Sequence, residues 1–150
     1  MKAGVICNRQ VSIAWKDEPL LEAARRMRDA HVGDVVVVEK QGNERIPTAI
    51  LTDRDIVVGI VAQDARRLEN LLVGDVVSDG LITAREEDDL GDVLTAMKYH
   101  GIRRLPVVNA NGGLVGIIAF DDLIDFMAEQ MSDLAKVVMK EQKVEHERRV

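Results

Sequence analysis

Two stretches of the chain, SIAWKDEPLLEAARRMRDAHVGDVVVV at residues 12–38 and ITAREEDDLGDVLTAMKYHGIRRLPVV at residues 82–108, align without a gap at an offset of 70. Ala14 then falls on Ala84, Leu20 on Leu90, Met27 on Met97 and Val32 on Ile102, while Val37 and Val38 fall on Val107 and Val108. Upstream, Gly4 falls on Gly74. Further on the offset becomes 67 and pairs Ala49 with Gly116, Thr52 with Ala119 and Asp55 with Asp122. The change falls in a turn, EKQGNERIP at 39–47 against NANGGL at 109–114, and surface turns tolerate such length differences. Internal repetition of this kind dictates the architecture ahead of any motif.

Each copy carries the same succession of patterns. A short strand (Val11–Ala14; Leu81–Ala84) precedes a helix whose apolar residues recur at i, i+3, i+4 and i+7: Leu20, Ala23, Ala24 and Met27, then Leu90, Val93, Leu94 and Met97. A dense apolar strand follows (Val35–Val38; Leu105–Val108), then a Gly- and Asn-rich turn, a third strand (Thr48–Leu51; Leu114–Ile118) and a second helix from near Asp53 or Phe120. The order is β-α-β-β-α, twice. A copy of roughly 60 residues buries its sheet poorly alone, so the pattern predicts two copies sharing a core about a pseudo-two-fold axis. The organisation read from the sequence is repeat 1 over 1–65, a joining stretch with repeat 2 over 66–127, and an extra C-terminal helical tail over 128–150.

Composition narrows the function. Hydrophobic residues make up 47% and aromatics 3%, so the core is aliphatic. Lys plus Arg number 20 against 26 Asp plus Glu, a net charge of −6 that disfavours general nucleic-acid binding. A single cysteine, Cys7, excludes an intramolecular disulfide and fits a cytoplasmic setting. No signal-peptide core follows the first residues, and no apolar run approaches the ~20 residues of a membrane span. His31, His100 and His146 show no zinc spacing with Cys7, and neither a nucleophile–base pair nor a phosphate loop is present, so no catalytic or metal residues are assigned.

The segment TAILTDRDI at 48–56 stops a strand at a hydroxyl and continues into charge. Thr52 and Asp55 have the spacing of a capping box. They also have the chemistry of a ligand site, and from the residues alone both readings stand. Asp122 recurs in copy two while Ala119 replaces the hydroxyl, so capping alone explains the repetition less well.

GDVVSDGLITAREEDDLGDVLTAMKYHGIRRLPVVNANGGLVGIIAFDDLI at 74–124, with LLEAARRMRDAHVGDVVVV and AILTDRDIV in the first copy, resembles the tandem CBS-domain pair, a regulatory module. The resemblance covers about residues 4–127 and implies an α/β fold without catalysis or a required cofactor. It implies an adenosine-containing ligand (AMP, ADP, ATP or S-adenosylmethionine) held in clefts that mix both copies. Its Gly-apolar-x-Ser/Thr-x-x-Asp segment maps onto Thr52 and Asp55, with Ala49 at the usual glycine. In copy two it maps onto Gly116 and Asp122. The strand-end threonine maps onto Thr83.

One cleft would then contain Thr52, Asp55 and Thr83, lined by Ile50 and Ile102, with Asp34 where a base would help phosphate. The other would contain Asp122, the Ile13 segment, Val32, Arg103 and Arg104. A carboxylate accepts from vicinal ribose hydroxyls, and an arginine neutralises phosphate. Arg103 and Arg104 read equally well as a solvated strand start. The resemblance further implies a homodimer meeting through helices, and an effector protein reached in trans. A degenerate pair with empty clefts, acting only in dimerisation or protein interaction, is the alternative. The tail's stripe of Phe126, Met127, Met131, Leu134 and Val138 suits a helix that reaches a partner subunit or folds back on its own module.

Overall fold

The computed structural model describes residues 1–149. Met1–Ile118 form one compact unit, and the chain from Ala119 onward a second. The first unit begins with α1 (Ala3–Ile6), β1 (Ile13–Trp15), α2 (Leu20–Ala30), β2 (Asp34–Gln41) and β3 (Glu44–Thr52). Then come α3 (Asp53–Ile56), a wider π turn at Val57–Val61, α4 (Ala62–Asp64) and 3₁₀ turns at Ala65–Asn70 and Val73–Asp75. The second copy supplies β4 (Ala84–Arg85), α5 (Leu90–His100), β5 (Arg104–Val108) and β6 (Leu114–Ala119). The repeated β-α-β-β-α order is the one the periodicity predicts.

The strands form two sheets of the same order, β1-β2-β3 and β4-β5-β6. In each, the first strand runs parallel to the central one (Ala14 beside Val37; Ala84 beside Val107), and β2 and β3 are antiparallel. The run Val35–Val38 is wholly buried because both faces of β2 are covered. Val35 and Val37 join Leu20, Ala23 and Met27 of α2, with Ile56 and Ile60, in one cluster. Val36 and Val38 point the other way and meet Leu114 and Ile117 of β6. A strand covered on both faces reads as continuous apolar sequence rather than alternation. Leu105–Val108 of β5 is buried likewise.

The extra residues of the first copy do not lengthen a loop, as the sequence comparison suggested; they lengthen a hairpin. β2 and β3 stay paired out to Gln41 opposite Glu44, leaving only Gly42 and Asn43 to turn, with Gly42 at φ 62°. Glycine takes that left-handed conformation without a Cβ clash. The register slips between Val37 and Val38, beside Pro47, which has no N–H for the ladder. Both α2 and α5 close on a left-handed residue, His31 at φ 54° and Gly101 at φ 63°. Met27 and Met97 accept the same closing bonds from Val32 and Ile102, each at 3.0 Å.

The chain ends that precede the two repeats are exchanged. Gly74 N–H donates to Lys16 O at 2.8 Å and Val73 N–H to Glu18 O at 2.9 Å. At the positions 70 residues away, Gly4 N–H donates to Glu86 O and Ala3 N–H to Asp88 O. Reciprocal contacts between equivalent positions are the signature of a pseudo-two-fold relation. Lys2 pairs with Asp89 and Arg9 with Glu86, so the acidic run Glu86–Asp89 receives the basic N-terminal segment. Cys7 is buried there, and burial pushes its thiol above the ordinary range.

In the second unit, α6 (Phe120–Arg148) is one continuous helix, so the repeat's second helix and the tail are a single element. Among the described residues no helix is long and apolar enough to cross a membrane.

Gly116 lies where the N-terminal segment crosses β6, with Asn8 and Ile117 bonded in both directions. A Cβ there would stand 2.5 Å from Cys7 Sγ and 3.0 Å from the backbone Asn8 O. Gly116→Ala is expected to destabilise by about 1–3 kcal/mol through overpacking, which lowers the melting temperature by about 2–4 °C per kcal/mol in a chain of this size. Gly91→Ala, where an added Cβ meets nothing, is expected to leave the melting temperature unchanged or higher in the same calorimetric scan.

Candidate functional site

Thr52 ends β3 and is the N-cap of α3. Asp55 N–H donates to Thr52 Oγ1 at 3.1 Å, and Thr52 N–H donates to Asp55 Oδ2 at 2.9 Å, a complete capping box. Asp55 remains exposed and borders a cleft of about 430 Å³. Its other polar walls are Arg54, Gln63, Arg67 and Asp75. Sequence reading placed Thr83, Ile50 and Ile102 with Asp55, and none of the three lines this cleft. Thr83 is exposed just before β4, and Ile50 sits half-buried on β3 opposite Val36. Ile102 is half-buried beyond the end of α5. Gln63 and Arg67 went unnoticed in the sequence because no residue pairing between the copies marks the segment after Asp55; the π turn, α4 and the 3₁₀ turn bring them to its cleft.

Asp122 sits in the first turn of α6, where Ala119 N–H donates to its Oδ2 at 2.8 Å. This is the half of a capping box that needs no hydroxyl. The same half-box recurs where Leu72 N–H donates to Asp75 and Arg85 N–H to Asp88. Asp122 therefore persists beside Ala119 for a capping reason, and its repetition is weaker evidence for a ligand than the sequence comparison suggested.

The charge assigned by sequence to separate clefts meets in one place. Arg104 Nε lies 2.9 Å from Asp34 Oδ2. The two residues occupy equivalent positions of the repeats, 70 apart, and a pseudo-two-fold relation brings equivalent positions face to face. Two like charges there would repel; one acid and one base attract. The Asp34 side chain is 15% exposed and that of Arg104 47%. Burial pushes the Asp34 carboxyl above its ordinary value; Arg104 opposes this, and the neighbouring Asp53 adds to it. Arg103, the adjacent residue, is exposed.

Around this pair lies a cleft of about 310 Å³, walled by Gln10, Ser12, Val32 and Asp34 from the first copy and by Arg104 and Ile117 from the second. It holds the Val32 and Arg104 of the predicted second cleft together with the Asp34 assigned to the first. Gln10 and Ser12 arrive because the Asn8–Ile117 bridge fixes the strand entry, and Val36 N–H donates to Ser12 O at 2.9 Å. Among the described residues no group of three or more His, Cys, Asp or Glu is placed to hold a metal ion.

The chain matches the CBS domain over residues 3–62 and again over residues 73–129, and it belongs to that family. It is 32% identical over 124 residues to an uncharacterised protein of Methanopyrus kandleri, covering 83% of this chain and 61% of the relative. It is 39% identical over 114 residues to the CBS domain-containing protein YhcV of Bacillus subtilis, covering 76% of each. The chain thus spans less than two thirds of the length of the first of these relatives. Its fold is that of the CBS domain pair of protein MJ0100, solved in complex with 5′-methylthioadenosine and S-adenosyl-L-methionine. The TM-score is 0.71 at 21% identity, over 87% of this chain and 98% of that one.

Because the Asp34 carboxyl is held above its ordinary 3.8, the folded chain binds that proton more tightly than the unfolded chain does. The stability contributed by this group is therefore greatest at low pH. It falls as pH rises from the unfolded value through the raised folded one, then stays level. Asp34→Asn removes the titration. The melting temperature of the wild type minus that of the variant is expected to fall across that window; a difference that climbs with pH would contradict the sign.

Proposed function

We propose that the chain is a non-catalytic regulatory module of the cytoplasm. In this reading it binds an adenosine-containing ligand between its repeats and, as a homodimer, passes the bound state to an effector protein in trans. The observation that carries this is the cleft at Asp34 and Arg104, whose walls come from both copies. A ligand seated there touches both repeats at once, so its affinity depends on their mutual arrangement. Coupling requires such a difference in affinity between two arrangements.

Among AMP, ADP, ATP and S-adenosylmethionine, the charges favour the last. A carboxylate beside the arginine repels a phosphate chain, whereas an amino-acid zwitterion offers a carboxylate to Arg104 and an ammonium to Asp34. The complex of the MJ0100 domain pair with S-adenosyl-L-methionine supports the ligand class. In this reading Asp55 retains its second carboxylate oxygen for ribose, in the cleft it shares with Gln63 and Arg67. Arg104, with Asp34, serves the second. The second reading, an interaction module with empty clefts, draws on Arg104 being already engaged by Asp34.

A thermal-shift panel separates the two. A ligand at a hundred times its Kd stabilises the folded state by about 2.7 kcal/mol, roughly 5–10 °C here. S-adenosylmethionine is expected to give the largest shift; no shift with any adenosine compound leaves the interaction module. For Asp55→Ala, calorimetry is expected to show at least a tenfold loss of affinity, since a charge-assisted bond contributes about 1.5–3 kcal/mol. Unchanged affinity with a lowered melting temperature would reduce Thr52 and Asp55 to a helix cap, whose loss costs about 0.5–2 kcal/mol.

A further inference from the structure

Helix α6 leaves a regular apolar seam in solvent. Ile124, Met127, Met131, Leu134 and Val138 alternate at spacings of three and four, the a and d positions of a heptad. All are roughly half exposed or more, with Met131 at 70% and Leu134 at 67%. The positions flanking the seam, among them Ala128, Gln130, Ala135 and Val137, are uncharged, and two are small enough for close helix approach. Charged residues such as Asp125, Glu129, Asp133, Lys136 and Lys140 take the opposite face. Helices in water owe most of their stability to packing of an amphipathic face, and an exposed seam of this regularity marks an interaction surface.

The charge along α6 selects the occupant. From Phe120 to Leu134 the helix carries five acids and neither Lys nor Arg; from Ala135 to Arg148 it carries four Lys or Arg and three acids. Side by side in parallel, two such helices would set acid half against acid half. In antiparallel order about Met131, the acidic first turns with Asp121, Asp122 and Asp125 face the partner's segment 135–142, where Lys136 and Lys140 outnumber Glu141, and the helix dipoles also oppose. The acids argue against a lipid surface, where an amphipathic helix presents Lys and Arg on its polar face.

We propose that α6 pairs antiparallel with α6 of a second copy of this chain, centred on Met131, with Ile124 opposite the partner's Val138. This rests on the homodimer of the reading above and assigns its contact surface to α6.

Light scattering of the full chain is expected to give twice 16.6 kDa at micromolar concentration. Met131→Glu/Leu134→Glu is expected to give 16.6 kDa with an intact melting transition. A monomeric wild type overturns both the homodimer and this surface. A dimer that survives the double substitution overturns the surface alone. Introduced cysteines read the order, since the native Cys7 is buried and withheld from cross-linking. Under mild oxidation Met131→Cys is expected to cross-link, and Ile124→Cys alone is not, while Ile124→Cys/Val138→Cys is. Cross-linking of Ile124→Cys by itself overturns the antiparallel order. The panel of adenosine ligands reads the clefts separately, so its failure leaves these masses untouched.

Discussion

The exchange of the segments that lead into each repeat is the constraint on which the first unit depends. Residues after β1 bond Val73 and Gly74, while residues after β4 bond Ala3 and Gly4. Neither copy satisfies these backbone groups from its own contiguous stretch. Unpaired buried N–H and C=O groups are costly, so the two copies are obliged to fold together. The glycines at 4 and 74 follow from the same crossing. An added Cβ would stand 3.0 Å from Glu86 Cβ at the first and 2.9 Å from Lys16 O at the second. Repetition of these glycines is therefore a statement about backbone approach and not about a ligand.

That crossing also builds the cleft. With Asn8 tied to Ile117, the chain enters β1 through Gln10 and Ser12 alongside the end of β6. Val36 and Val38, buried by the opposing sheet, hold the start of β2 against it. Asp34 then has little freedom to escape Arg104. The pairing of an acid with a base at equivalent positions shows how a duplicated module loses strict symmetry where its halves meet. It gives the cleft both signs of charge.

The long helix follows a different logic. Its apolar seam has no equivalent in the first copy, where the corresponding segment breaks into α3, a π turn and α4 within about three turns. The divergence after the third strand gives one repeat a short helical cap and the other an extended surface.

Local pattern determined much of the chain. The i, i+3, i+4, i+7 spacing located α2 and α5, and the continuous valines located β2. The 70-residue offset established the duplication, and the Thr52–Asp55 spacing located a helix start. These features depend on residues a few positions apart, whose geometry is set by the 3.6 and 2.0 periods of helix and strand. The crossed chain ends, the meeting of Asp34 with Arg104, the arrival of Arg67 at Asp55 and the reason for Gly116 depend on residues tens of positions apart. No period links them, and their proximity exists only once both sheets are packed. The capping chemistry of Asp55 and Asp122 shows the same divide: sequence fixes that a carboxylate starts the helix, and only the folded surroundings decide what else that carboxylate can reach.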